Sequence, residues 1–138
     1  MERHWKISDI EFEEQFTLNK FRPLWFTHEA HLRLAWIYIT KYGKEIAFEK
    51  YSKQLQDFAN KYNADGKYNA TVTFASIQIM DKYIQNSDAY DFQDFINEFS
   101  QLKSNFKAII SIHYSGDVFA SKEAKQNILL PDLIPFNE

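Results

Sequence analysis

Two histidines stand three residues apart in Phe26-Thr27-His28-Glu29-Ala30-His31-Leu32. On a helix that spacing puts both imidazoles on one face, a turn apart. Rings so placed could act as acid or base in catalysis, because an imidazole titrates near neutral pH. They could instead bind a divalent transition metal as neutral nitrogen ligands. The pattern is not that of the zinc proteases, which need a spacing of four with glutamate after the first histidine. A metal would also need a further protein ligand. His113 is the other histidine outside the N-terminal stretch, and Asp65, Asp81 and Asp117 are candidate carboxylates. The plain alternative is that both rings hydrogen-bond to neighbours and have only a structural role.

The surroundings of the pair favour an anion. Unpaired backbone N–H groups from Thr27 to Ala30 would open the helix, and Arg33 follows within a turn. The positive helix end would lower an imidazole's pKa and favour the neutral ring. A second polar cluster, Lys67-Tyr68-Asn69-Ala70-Thr71-Val72-Thr73, opens another helix after Gly66. Tyr68, Asn69 and Thr73 are its candidate ligand-binding groups, with N-capping by Asn69 or Thr71 as the plain alternative. A third cluster, Ser111-Ile112-His113-Tyr114-Ser115-Gly116, reads as a helix end with a glycine stop. There His113 is either a ligand-binding group or a cation that suits the helix C-terminus.

The elements that must position these groups are helical. Only three glycines and three prolines interrupt 138 residues. Ser8 and Glu11 form a capping-box pattern for a first helix over about Ser8 to Phe21. Thr27 caps a second helix that Gly43 stops, with Leu32, Ala35, Trp36 and Ile39 in helical register. A third runs about Glu45 to Tyr62, its apolar face built from Phe48, Tyr51, Leu55, Phe58, Ala59 and Tyr62. Residues 63–66 read as a turn. A fourth helix covers about Tyr68 to Gln85, and a fifth, capped by Asp88, about Tyr90 to Phe99. A sixth covers about Leu102 to Ile112, and a short last helix follows Ser121. If the period is misread, Ile109 to Tyr114 is a strand instead. The sum is an all-α bundle of six or seven helices, with residues 1–138 as one domain. Leu129 to Phe136, broken by Pro131 and Pro135, cannot be a regular helix and should lie as an extended tail across the body.

Composition limits the function. With 13 phenylalanines, eight tyrosines and three tryptophans the chain must collapse around a core. The charge of −3 argues against nucleic acid as a partner. No apolar run approaches the length of a membrane span. The absence of cysteine removes disulfides and thiolate chemistry. No signal peptide fits the N-terminus, so the expected location is cytoplasmic. No nucleophile motif, phosphate loop or dinucleotide fingerprint is present.

These clusters resemble a group of small, uncharacterised bacterial all-helical proteins. Their pattern is Phe-x-His-x-x-His-Leu-Arg-x-Ala, then Lys-Tyr-His-Glu-Thr-x-Thr, then a Tyr-Ser element and Leu-Pro-Asp. This chain carries Phe26, His28, His31, Leu32, Arg33 and Ala35 of the first motif, and Lys67, Tyr68, Thr71 and Thr73 of the second. It carries Tyr114, Ser115, Pro131 and Asp132 of the last elements, so the resemblance spans about residues 24 to 135. It implies an all-helical fold and no known activity. It also marks a departure, since Asn69 and Ala70 stand where the pattern has histidine and glutamate. If three histidines bind metal in that group, this chain lacks one of them.

Two functions follow as expectations. The first is a small-molecule site, binding or catalytic, with His28 and His31 as base or metal ligands. Arg33 or the helix start would hold an anionic group, and Tyr68, Asn69, Thr73 and His113 would complete the site. It requires the starts of the second and fourth helices to lie side by side. The second is an interaction or homodimerisation module with structural histidines and an exposed apolar patch.

Overall fold

The computed structural model describes residues 1–137, and among them there are eight α-helices and no strand. Local chemistry accounts for most helix ends. Helix α1 spans Asp9–Thr17, and Ser8 and Glu11 close the expected capping box. It stops before Phe21 because Asn19 takes a left-handed φ of 54°. Helix α2 spans His28–Tyr42, with the Thr27 hydroxyl capping Ala30 N–H. Gly43, at φ 83°, ends α2 and begins α3, Lys44–Lys61. Helix α4 spans Ala70–Gln85, with Asn69 as its cap.

The later helices are shorter than the sequence suggests. Helix α5 is Phe92–Glu98, and its cap is Asp91, not Asp88. The expected sixth helix is split at Asn105 into α6, Gln101–Ser104, and α7, Phe106–Ser111. The residues proposed as an alternative strand thus begin in a helix. Helix α8, Lys122–Gln126, is capped by Ser121. Three 3-10 turns complete the backbone, at Arg3–Lys6, Pro23–Trp25 and Asp65–Lys67.

Helix α2 is the axis of the bundle. From Glu29 to Ile39 every side chain except His31 is buried. It packs on α3 and α4, which also pack on each other, and α8 covers α4. The buried apolar side chains form one cluster. One end of it is aromatic, where Phe16, Phe21, Phe26 and Phe58 meet at centroid separations of 4.5–5.9 Å. Each such pair adds about 0.5–1.5 kcal/mol to the burial of its rings.

Hydrogen bonds, more than apolar burial, pin the C-terminal segment. Thr71 Oγ1 donates to Asn127 O and accepts from Leu129 N–H, and Tyr114 OH donates to Leu129 O. His113 accepts at its carbonyl from Leu133 N–H, and its ring Nδ1–H donates to Ile134 O. Asp132 accepts from both the backbone and the hydroxyl of Ser115. Phe136 packs on Phe74 and the His113 ring, whereas Leu130, Leu133 and Ile134 remain exposed. No helix is long and apolar enough to cross a membrane among the described residues.

Candidate functional site

The start of α2, one face of α3 and the start of α4 enclose a cavity of about 890 Å³. A single drug-sized molecule fits a space of this size. His28 and His31 line it, as do Tyr68, Asn69 and Thr73, so the two helix starts do share one site. The floor is largely aromatic, with Phe26, Phe58, Phe106 and Phe119 among its rings.

The two histidines are held differently. His28 is exposed, and its Nε2–H donates to Leu102 O at 3.0 Å across the cavity edge. His31 turns back on its own helix, and its Nδ1–H donates to Thr27 O at 2.7 Å. Its ring lies flat on Phe26, with centroids 3.6 Å apart and planes 11° apart. Donation from Nδ1 leaves Nε2 as an acceptor in the neutral ring. Burial lowers the His31 pKa to about 4, with a smaller push from His28, against the opposing bond to Thr27. The residue keeps partial exposure, but that exposure is to the cavity it lines. At neutral pH His31 is therefore uncharged.

Tyr51, on the α3 face, is only 3% exposed and also lines the cavity. Burial raises its pKa, and Tyr68 adds to the effect. Among the described residues every buried side-chain nitrogen and oxygen has a partner. Neither His31 Nε2 nor the Tyr51 hydroxyl bonds to a protein atom, so neither atom is sealed, and both residues line the cavity. Other polar lining groups are engaged. Tyr68 OH pairs with Ser52 Oγ at 2.8 Å. Asn69 accepts from Val72 N–H and donates to Val118 O at 2.7 Å. Thr73 Oγ1 donates to Asn69 O.

Charge at the opening is of one sign. Exposed Lys67, Lys103 and Lys107 stand at the rim, and among the described residues the lining contains no carboxylate. Lys103 is compensated by Glu29 at 2.8 Å and Glu2 at 3.5 Å. Lys107 lies 5.2 Å from the Phe119 ring centroid.

Two expected site residues lie elsewhere. Arg33 is buried on the opposite side of α2, where it donates to Asp9, to His4 O and to Ile7 O. Its position two residues past His31 is 200° around a helix, so the angular period already separates them. His113 lines a second, smaller cavity beside Phe136 and binds the C-terminal segment. The expected anion site at the start of α2 is also partly closed. Thr27 already accepts from Ala30 N–H through its hydroxyl and from His31 N–H through its carbonyl.

The donor set for a metal at the histidine pair stops at two imidazoles, since among the described residues no third histidine or carboxylate lines the cavity. The group of three metal-capable residues found among the described residues is Glu2, His4 and Glu29, on the far side of α2. Its atoms are engaged. Arg33 Nη1 approaches His4 Nδ1 at 3.3 Å, so that nitrogen accepts and Nε2–H donates to Glu29 Oε1 at 2.7 Å. Trp5 Nε1–H donates to the same oxygen at 2.6 Å, and Lys103 holds Oε2. Burial alone would raise the Glu29 pKa, but bonds from Lys103, His4 and Trp5 outweigh it and keep the carboxyl below its usual range. Burial keeps the His4 pKa below its ordinary value despite Glu29.

The expected site residues did not include Tyr51, although a tyrosine hydroxyl on an aromatic face could converge on a ligand, nor the lysines of α6 and α7. The available signal was that Tyr51 shares the α3 face with Leu55 and Phe58, where a buried hydroxyl needs a partner.

No family model, curated protein or solved structure matches this chain. The functional reading below rests on the chain's own atoms.

Proposed function

We propose that this protein binds a small organic anion with an apolar body in the cavity between α2, α3 and α4. One observation supports this most directly. In a chain with more acidic than basic residues, the cavity gathers, among the described residues, three lysines, two histidines and no carboxylate over an aromatic floor. The body of the ligand lies on the rings, and its charge meets Lys67 and Lys107 at the rim. Uncompensated cations beside low-dielectric walls attract anions and speed their capture. In a catalytic version of this reading, His31 Nε2 is the group that takes a proton from the bound molecule.

The test uses 8-anilinonaphthalene-1-sulfonate, an aromatic anion whose fluorescence rises on leaving water. The expected result is saturable binding of one dye per chain, weakened about tenfold in a Lys67→Glu, Lys107→Glu double variant. Absence of binding, or equal affinity in the variant, overturns the reading.

A second reading has one observation of its own. Leu130, Leu133 and Ile134, with Ile112 and Ile128, are large apolar side chains left exposed. Such groups suit a contact between two copies of the chain. Sedimentation velocity would then show a dimer that a Leu130→Glu, Leu133→Glu variant abolishes. A wild-type monomer across the accessible concentrations removes this reading.

A further inference from the structure

The cavity reading fixes where a ligand sits, and two atoms on its wall restrict what that ligand is. His31 is held by two constraints at once: its Nδ1–H donates to Thr27 O, and its ring lies flat on Phe26. It cannot swing away, and Nε2 faces the cavity as an acceptor with no protein donor. The second atom is the Tyr51 hydroxyl, on a side chain 97% buried by its 3% exposure and without a protein partner. The other buried or half-buried hydroxyl and amide groups of the lining are already paired within the protein. Ser76 Oγ donates to Val72 O, Thr73 Oγ1 to Asn69 O, and Tyr68 bonds Ser52. The two open atoms are therefore exceptions among the buried and half-buried polar groups of the wall. A ligand of pure hydrocarbon body would remove water from both and replace it with nothing.

We infer that the ligand carries a hydroxyl or N–H donor within its buried aromatic body, which His31 Nε2 accepts while the Tyr51 hydroxyl bonds the same group. With an anionic end at the lysine rim and rings on the floor, the chemical class is a hydroxylated aromatic acid. Long-chain fatty acids are disfavoured, because their buried part offers no donor. A site built to bond a hydroxyl discriminates strongly against the analogue that lacks it. His31 stays uncharged at neutral pH, so it remains an acceptor under ordinary conditions.

This inference rests on the proposed cavity function, and the test separates the two. The dye 8-anilinonaphthalene-1-sulfonate is bound first and then displaced by 2-naphthol or by naphthalene. Naphthalene is the more hydrophobic of the pair, so burial alone would favour it. In the wild type 2-naphthol is expected to displace the dye at a concentration about tenfold lower or more. Tyr51→Phe and His31→Phe should each bring the two competitors close to parity, with the affinity for naphthalene retained. Equal displacement in the wild type overturns the inference and leaves the cavity function standing. So does a preference for 2-naphthol that survives in both variants. Failure of the dye to bind at all removes the cavity function and this inference with it. Should His31→Phe fold poorly by near-ultraviolet circular dichroism, Tyr51→Phe decides alone, because its hydroxyl bonds nothing in the protein.

Discussion

Two buried regions on opposite sides of helix α2 each hold a histidine, His4 from the 3-10 turn at Arg3–Lys6 and His31 from α2 itself, and they treat them in opposite ways. On one side, His4 has both ring nitrogens engaged and sits with Glu29, Arg33, Trp5 and Lys103 in a closed network. On the other, His31 has one nitrogen fixed and one open to a cavity. Both rings are pushed toward neutrality by burial. Burial and a lowered pKa are thus poor guides to function here. What differs is whether the last polar atom finds a protein partner or a void large enough for a ligand.

The comparison breaks most readily at Glu29. Glu29→Ala leaves His4 and Trp5 without their acceptor and should cost about 3 kcal/mol or more. Urea unfolding measures the loss, and a cost under about 1 kcal/mol would mean that the network is not a structural clasp. A smaller effect belongs to acid. His31 is neutral in the native state to about pH 4, whereas in the unfolded chain it charges near 6.5. Its contribution is complete above pH 6.5 and is lost as pH falls through 4. Removing it by His31→Phe should flatten the stability–pH profile between those values by roughly 2 kcal/mol, allowing for partial exposure. An unchanged profile would place the acid sensitivity elsewhere, with His4 the first alternative.

Asn69 sharpens the comparison from within the cavity wall. Asn69→Ala should destabilise by about 1 kcal/mol through the lost cap and change dye affinity by less than about twofold. A larger loss of affinity would move Asn69 from the wall's support to its binding surface. The smallest effect is expected at Tyr51. Tyr51→Phe removes no protein hydrogen bond and should shift stability by less than about 0.5 kcal/mol. A larger cost, read by urea unfolding, would show that the hydroxyl has a structural partner.

The sequence was most legible where structure is local. Ser8 with Glu11, Thr27, Gly43 and Ser121 mark helix ends through atoms at most four residues away, and these took the expected positions. The limits of α5 and the break at Asn105 were not legible, because neighbouring side chains offer rival caps and the choice depends on tertiary packing. In the site, the pairing of His28 and His31 with Tyr68, Asn69 and Thr73 followed from helix starts and polar types. The partner of each ring did not, since the acceptor for His28 is Leu102 O, 74 residues on. Arg33 and His113 were misplaced for different reasons. The first lay within reach of a helical wheel, while the second depended on a tail whose carbonyls come from 21 residues further along.

The single-residue corner at Gly43 has a further effect on the cavity. A Cβ there would meet no atom within 4 Å, so glycine serves the backbone's positive φ and not space. With a single residue at the corner, α2 and α3 fold back and pack on each other in fixed alignment. His31 and Tyr51 stand one on each of these arms, and both line the cavity between them. Adding one residue to either arm would turn everything past it by about 100° and dissolve that alignment, so the length of both arms is under constraint even where their surface residues are free to vary.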